Sequence, residues 1–145
     1  IALDPHGRDV YVSVDYQSNG GDVFMQNLET GQRTPLFSTY PGRTATALHI
    51  SGKAYNRPGW VLVSTYAADG KRQWLHEKLM AVSLTPHPQV KGLAYHHGAY
   101  NGYWTEPQAT VNPDFTRVLF NSNWGSRSDT DIDNYMVVLP KDALD

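Results

Sequence analysis

The chain repeats one pattern with a period of roughly 55 residues, and this repeat constrains its fold more than any other feature. In each unit a proline stands in the turn before one apolar segment, and a methionine recurs within the next. The prolines are Pro5, Pro58 and Pro113, and the methionines are Met25, Met80 and Met136, at nearly equal intervals in both series. The 145 residues therefore contain three units of one kind.

The apolar segments of each unit have the composition of β-strands. Valine, threonine and aromatic residues dominate VYVSVD (10–15), WVLVSTY (60–66) and RVLFNSN (117–123), and turn residues bound each segment. Strand-built repeats of roughly 40–55 residues are typical of β-propellers, whose blades are four-stranded antiparallel sheets. The predicted strands are 1–4, 10–15, 22–28 and 33–39 in the first unit, 44–51, 60–66, 78–84 and 91–97 in the second, and 106–111, 117–123 and 134–139 in the third.

The predicted fold is all-β, with about three four-stranded antiparallel blades of a β-propeller in one domain. Blade one spans 1–40, blade two 41–97 and blade three 98–140, where a fourth strand is not evident, and 141–145 form a tail. Because three blades cannot close a ring, we expect the remaining blades of a ring of roughly six to eight to come from the same parent chain or from neighbouring chains. The alternative is a β-sandwich of about ten strands.

Composition excludes several classes of function. The chain has no cysteine, which excludes disulfides, thiolate metal sites and cysteine nucleophiles. Its formal net charge of −2 gives no electrostatic reason to expect nucleic acid, and its longest apolar runs are too short for insertion into a membrane. The sequence also lacks the motifs of serine hydrolases, phosphate-binding loops and zinc proteases. Nine tyrosines and four tryptophans favour an extracellular or periplasmic β-protein, and the Ile1 start favours a mature product or a piece of a longer chain.

Unusual polar and aromatic residues concentrate in the connections that would open on one face of a propeller, at the mouth of its channel. For a general base this face offers His49, His97 and Tyr103. Its candidates for binding substrate are Arg43, Tyr100, Trp104, Gln108 and Trp124. Flat aromatic rings can stack on the apolar faces of sugar rings, but the same rings can also fill the space between blades.

A candidate metal site lies where the second and third units meet. His49 and Glu106 are predicted to begin adjacent inner strands, and Gln108 lies two residues after Glu106, on the same side of a strand. Imidazole, carboxylate and amide oxygen together can ligate a divalent cation such as calcium or manganese. The alternative is that these groups hydrogen-bond one another and join the blades.

A second candidate cation site is the acidic segment SDTDIDNY (128–135). Asp129, Asp131 and Asp133 stand at alternate positions, as in the opening half of a calcium-binding loop. The glycine and the distant glutamate that complete an EF-hand loop are missing, so the alternative is a solvated hairpin loop.

Three segments together resemble the final blades of TolB-like propellers. These are PQATVNPD (107–114), RVLFNSNWG (117–125) and VVLP (137–140). The preceding ALHISGKAYNRPGWVLVSTY (47–66) resembles the His-x-Ser strand and the tryptophan-containing strand of one group within that family. That group comprises the oligogalacturonate lyase type of polysaccharide lyase and related secreted bacterial propeller proteins. The resemblance covers most of residues 44–140.

The resemblance implies a function and a metal site. In the lyases the corresponding inner strand carries His-Pro-His, which binds a divalent metal with a glutamine three residues earlier and a histidine of the preceding blade. Here Glu106 and Gln108 stand at the two histidines, Tyr103 at the glutamine, and His49 at the histidine of the preceding blade. The expected function is binding, and in an enzyme lyase cleavage, of an acidic oligo- or polysaccharide. The alternative is a non-catalytic module for protein interaction, assembly or filament formation.

Overall fold

A computed structural model of the protein describes residues 1–69 and 72–145. It is all-β, with eleven strands and two single 3-10 turns in the described residues, the turns at Pro41–Arg43 and Tyr103–Thr105. The strands are β1 (Ala2–Leu3), β2 (Asp9–Asp15), β3 (Asp22–Asn27), β4 (Arg33–Ser38), β5 (Ala45–Ser51), β6 (Trp60–Asp69), β7 (Lys78–Ser83), β8 (Val90–Tyr95), β9 (Thr110–Val111), β10 (Arg117–Ser122) and β11 (Asp133–Val138). No helix in these two ranges is long and apolar enough to cross a membrane.

The strands form three antiparallel sheets in which neighbours in sequence are neighbours in space. The first sheet has the order β1–β2–β3–β4, the second β5–β6–β7–β8 and the third β9–β10–β11. The prediction of an all-β chain with blade-sized antiparallel sheets is confirmed at this level. The third sheet, in the unit where the sequence displays no clear fourth strand, has three strands among the described residues.

The inner strand of the third sheet is shorter than predicted. We expected a strand over 106–111, but only Thr110 and Val111 pair with β10. Pro107 has no N–H to donate, and Gln108 has a φ of +41°, which a strand cannot accommodate. The expectation that Glu106 and Gln108 share one side of a strand is therefore wrong.

The second sheet is buried on both faces because its two central strands alternate between two cores. Val61 and Val63 of β6 pack in the core shared with the first sheet, whereas Leu62 packs in the core shared with the third. In β7, Met80 faces the first sheet and Leu79 the third. Alternation with a period of two is what a strand geometry requires of a sheet covered on both sides. Each such fully buried aliphatic side chain contributes about 1.5–3 kcal/mol relative to exposure.

Asparagine and aspartate side chains fix the turns that precede β2 and β10. Asn112 Oδ1 accepts hydrogen bonds from the backbone N–H groups of Thr116 (2.9 Å) and Arg117 (2.8 Å). Asp4 Oδ1 accepts from the N–H groups of His6 (2.8 Å) and Arg8 (3.0 Å). Burial opposes the charge on Asp4, but these hydrogen bonds and the Arg8 guanidinium outweigh it and hold the pKa of Asp4 below its usual value.

Candidate functional site

A hydrogen-bonded pair of His49 and Glu106 joins the second and third sheets. His49 lies in β5, and Glu106 follows the 3-10 turn Tyr103–Thr105. The two side chains meet with 2.9 Å between His49 Nε2 and Glu106 Oε2. His49 is 32% exposed and Glu106 only 10%. An ionised carboxylate can only accept, so in that state of Glu106 the shared hydrogen belongs to Nε2, and Nδ1 of a neutral His49 keeps its lone pair.

Tyr66 of β6 completes the surroundings of this pair. Its ring stacks on the His49 imidazole, with 4.9 Å between ring centroids and 16° between planes. His49 pairs across the strands with Ser64, so Tyr66 is its diagonal neighbour, two residues further along β6. Burial, helped by the negative charge of Glu106, raises the pKa of Tyr66 well above its usual value, so its phenol stays protonated.

An open groove of about 500 Å³ runs along β5 and exposes the histidine of this pair. Its lining includes His49, Lys53, Tyr55, Tyr103 and Gln108. The tyrosine rings are exposed, and Lys53 forms no ion pair within the described part of the chain. The groove thus combines one cation, two tyrosine rings and the His49 imidazole, which is hydrogen-bonded to the buried Glu106.

The walls of the groove are inner strands held close together. Ser51 Oγ of β5 lies 3.3 Å from Thr110 Oγ1 of β9 and accepts a hydrogen bond from Val111 N–H at 3.3 Å. On the other side Gly52 approaches the start of the chain so closely that a Cβ there would collide with the carbonyl oxygen of Ile1. Glycine is therefore required at position 52.

Two of the three predicted bases line the groove, and the third does not. Besides His49, Tyr103 lies there, with its ring edge-on to Trp104 (5.1 Å between centroids). His97 lies outside this lining, with a φ of +55°, and its exposed ring packs on Trp124 at 4.5 Å. Its neighbour His96 is buried, donates from Nε2 to the carbonyl oxygen of Thr65 (2.8 Å) and accepts at Nδ1 from the N–H of Gly98 (3.0 Å).

The predicted substrate-binding residues do not gather in one place. Gln108 lines the groove, with its amide nitrogen 3.5 Å from the carbonyl oxygen of Tyr103. The Tyr100 ring packs against the Tyr66 ring, and both line a smaller cavity of about 250 Å³. Trp104 is exposed beside the groove, and Arg43 is exposed in the first 3-10 turn, outside the groove lining.

Trp124, the last predicted binding residue, has a packing role. Its ring lies between those of His97 (4.5 Å) and Tyr135 (4.7 Å), and Tyr135 stacks in turn on buried Phe120 (5.7 Å). This stack continues into the core between the second and third sheets. Trp124 itself is 54% exposed, so its ring packs at the surface end of this stack, and its role in ligand binding stays a prediction.

The donors at His49 and Glu106 fit a hydrogen-bonded pair better than a metal site. No group of three histidine, aspartate or glutamate side chains placed to hold an ion occurs in residues 1–69 and 72–145. Gln108, the third predicted ligand, directs its amide nitrogen to the Tyr103 carbonyl oxygen at 3.5 Å and has no hydrogen bond with His49 or Glu106. Two converging donors are fewer than a divalent cation needs.

The acidic segment 128–135 is an exposed loop that leads into β11, which begins at Asp133. Asp129, Asp131 and Asp133 are exposed and do not form a group that could hold an ion. The hydroxyl of Ser128 organises the loop by accepting hydrogen bonds from the N–H groups of Thr130 and Asp131. The geometry therefore gives the calcium prediction no support.

Sequence reasoning missed three residues of the site: Lys53, Tyr55 and Tyr66. Tyr66 could have been found by writing the predicted strands 44–51 and 60–66 as an antiparallel hairpin, which makes it a diagonal neighbour of His49. Lys53 and Tyr55 sit in and beside what reads as an ordinary turn, AYNRPG, and only the folded path brings them to the groove.

Comparisons of the chain with protein-family models, with curated proteins and with solved structures found no match. The chemistry of the site therefore has to be taken from its own residues. The two tyrosine rings of the groove can stack on a flat, apolar ring face, and Lys53 can pair with a negative group. His49 and Gln108 can form hydrogen bonds with a ligand.

Proposed function

We propose that this chain is a segment of a secreted, extracellular or periplasmic bacterial β-propeller that binds an acidic oligo- or polysaccharide in the β5 groove. The observation that carries the ligand proposal is the lining of one groove by Lys53, Tyr55, Tyr103 and His49, whose imidazole is held by the buried Glu106. A uronate offers apolar C–H faces for the two tyrosines and a carboxylate for the lysine. Its hydroxyls suit His49 and Gln108.

The architecture supports the propeller part of the proposal. Three antiparallel meanders follow one another along the chain, and the second is covered on both faces by the others. The first strands of all three sheets, β1, β5 and β9, meet around the groove through the contacts of Gly52 with Ile1 and of Ser51 with Thr110. First strands side by side are what a propeller places around its channel.

If the site also cleaves its ligand, the residues present suit a lyase reaction. Nδ1 of His49 would take the C5 proton of a uronate whose carboxylate is paired with Lys53. The C5–H electron pair would form the C4–C5 double bond as the C4–O bond breaks, and the departing oxygen would take a proton from solvent. Glu106 would hold the imidazole through Nε2, as the acidic member of a triad holds its histidine.

Binding of trigalacturonate, measured by calorimetry on the full chain, tests the proposal. We expect Lys53→Ala to weaken binding about tenfold, since one ion pair in a partly shielded groove is lost. Arg33→Ala, which removes an exposed cation outside the groove lining, is the control. A neutral galactose trisaccharide that binds the wild type equally well, or a Lys53→Ala chain of unchanged affinity, would refute the proposal. Absorbance near 235 nm reports unsaturated products and decides separately whether the ligand is cleaved.

A second function, an assembly module, is favoured by the outer face of the third sheet. Leu119, Met136 and Val138 are 46%, 57% and 63% exposed there, and Leu119 and Met136 are direct cross-strand partners. A paired apolar surface of this kind is typical of an interface. Sedimentation of the wild type and of Leu119→Lys tests this second function. If the face is an assembly surface, the wild type associates and Leu119→Lys does not.

A further inference from the structure

A second cavity, separate from the β5 groove, is lined by three cationic side chains. It has a volume of about 490 Å³, and its lining shares no residue with that of the groove. Arg57 comes from the turn before β6, Arg117 from the start of β10, and Lys141 from the segment after β11. Three separate parts of the chain thus direct positive charge to one place.

The cavity has more positive than negative charge in its wall. Asp114 is the acidic residue of the lining, and it already accepts a hydrogen bond from Asn56 Nδ2 at 2.9 Å. Arg57 pairs with Asp145 beside the cavity, whereas Arg117 and Lys141 form no ion pair within the residues that the structure describes. Like charges gathered around a concave surface repel one another until an anion neutralises them, and the chain as a whole has a formal net charge of −2.

The wall of this cavity is held in place before any ligand arrives. Asn56 N–H donates to Pro113 O (3.0 Å), which fastens the turn before β6 to the turn before β10. Leu139 N–H donates to Thr116 O (2.8 Å), which fastens the end of β11 to the same turn. Arg117 N–H donates to Asn112 Oδ1, so its backbone is fixed as well. A preformed site binds without the cost of ordering its own wall.

We propose that this cavity binds a tetrahedral oxyanion, a phosphate or sulfate group. A planar carboxylate presents two oxygens in one plane, whereas a tetrahedral anion presents oxygens in several directions and suits cations that come from three segments. The forked guanidinium of Arg117 takes two oxygens, and Lys141 takes a third as a point charge. The Thr116 hydroxyl and the Asn56 amide are neutral groups of the wall that can hydrogen-bond the rest.

Asp145 competes for this site because its carboxylate already occupies Arg57. Lys91 Nζ also donates to the backbone carbonyl oxygen of Asp145 at 2.8 Å, which keeps the acidic residue close to Arg57. Replacing the carboxylate by an amide leaves the shape nearly unchanged and removes the negative charge, so that a bound anion competes for Arg57 with a neutral acceptor only. The proposal therefore predicts that one substitution tightens binding while others weaken it.

Titration of the full chain with inorganic phosphate and with sulfate, followed by two-dimensional NMR, tests the proposal. We expect saturable shifts at residues of this cavity, with affinity at least tenfold lower in Arg117→Ala and in Lys141→Ala, and severalfold higher in Asp145→Asn. Arg33→Ala removes an exposed arginine paired with Asp15 and should leave the affinity unchanged. Sodium chloride at equal ionic strength controls for screening.

Each possible result decides the matter. Shifts that never saturate, that chloride reproduces, or that Arg33→Ala weakens as much as Arg117→Ala would overturn the proposal. If Arg117→Ala does not fold by circular dichroism, Lys141→Ala and Asp145→Asn decide in its place, because both residues are solvent-exposed. A melting temperature that rises with phosphate in the wild type and not in Lys141→Ala gives an independent confirmation, since a ligand of the folded state stabilises it.

Discussion

Acidification from pH 7.5 to pH 5 should destabilise this protein through two buried histidines, His76 and His96. Both are almost fully buried, at 1% and 2% exposed, and burial lowers the pKa of each below 6.5. Desolvation is the largest effect at each ring. At His76, Glu77 raises the pKa and Arg72 lowers it; at His96, the hydrogen bond to Thr65 O and the charge of Glu77 raise the pKa and His97 lowers it. Nδ1 of His76 accepts a hydrogen bond from the Gln73 N–H (3.2 Å), so an added proton would go to Nδ1 and break that bond, while the Nε2 hydrogen has no partner within the described residues.

The direction of this pH dependence follows from which state, folded or unfolded, binds more protons. Below pH 6.5 the unfolded chain protonates both rings while the folded chain keeps them neutral, so the free energy of unfolding falls as the pH falls. The limiting slope is about 1.4 kcal/mol per pH unit for one histidine and about twice that for two. The loss levels off below the folded pKa values. The window lies above the range where aspartates titrate, which separates this effect from general acid denaturation.

Urea unfolding followed by tryptophan fluorescence at half-unit pH steps measures this slope. His96→Gln keeps a donor for Thr65 O and an acceptor for Gly98 N–H but cannot titrate, so it should reduce the slope by up to half. His87→Gln, at an exposed position, is the control and should leave the slope unchanged. A stability that is flat between pH 7.5 and pH 5, or an unchanged slope in His96→Gln, would show that the buried rings do not control folding.

Two further predictions concern carboxylates. Asp4→Asn should lower the free energy of unfolding by about 1–2 kcal/mol at pH 7, because the Asp4 carboxylate accepts hydrogen bonds from the Arg8 guanidinium and from two backbone N–H groups. Since the pKa of Asp4 is lowered in the folded state, the difference between the two proteins should vanish as the pH falls below 3.8. Urea titrations of both proteins measure it. Glu106→Ala should cost about 1–3 kcal/mol by leaving His49 without its partner, and Glu106→Gln should recover part of it; an Ala variant as stable as wild type in thermal melts would mean that the pair holds nothing together.

Most of the fold follows from local patterns that the sequence displays openly. Segments such as 10–15, 60–66 and 117–123 alternate or run apolar between prolines, glycines and asparagines, and strands form within a few residues of each. The prediction failed at 106–111, where an apparently regular inner strand pairs only at Thr110 and Val111. Pro107 was visible in the sequence and should have shortened the strand, whereas the positive φ of Gln108 is uncommon for a residue other than glycine and no pattern in the sequence signals it.

The candidate site was predictable only where strand pairing determines it. The approach of His49 to Glu106 followed from placing two inner strands side by side, and the hydrogen bond between them is the alternative that the sequence left open. Lys53 and Tyr55 reach the groove through the course of a turn. Arg57 reaches its cavity from the second repeat unit and Lys141 from the tail that follows the third. Such convergence depends on how three sheets pack, which local propensity does not encode.

The two outer sheets differ in the apolar surface that they leave uncovered, and this bears on which sheet another chain would pack against. On the first sheet the Arg33 guanidinium, 3.6 Å from the ring centroid, and the Tyr11 ring cover Phe24. The apolar surface of this sheet is therefore already partly covered. On the third sheet Leu119 and Met136 have no such cover in the described residues. Packing another sheet on the third sheet would take this apolar surface out of water and stabilise the contact by roughly 25 cal/mol per Å² buried. Packing on the first sheet would bury less apolar surface and stabilise the contact less. We therefore expect that Leu119→Lys changes the association of this chain and that Tyr11→Lys, its counterpart on the first sheet, does not.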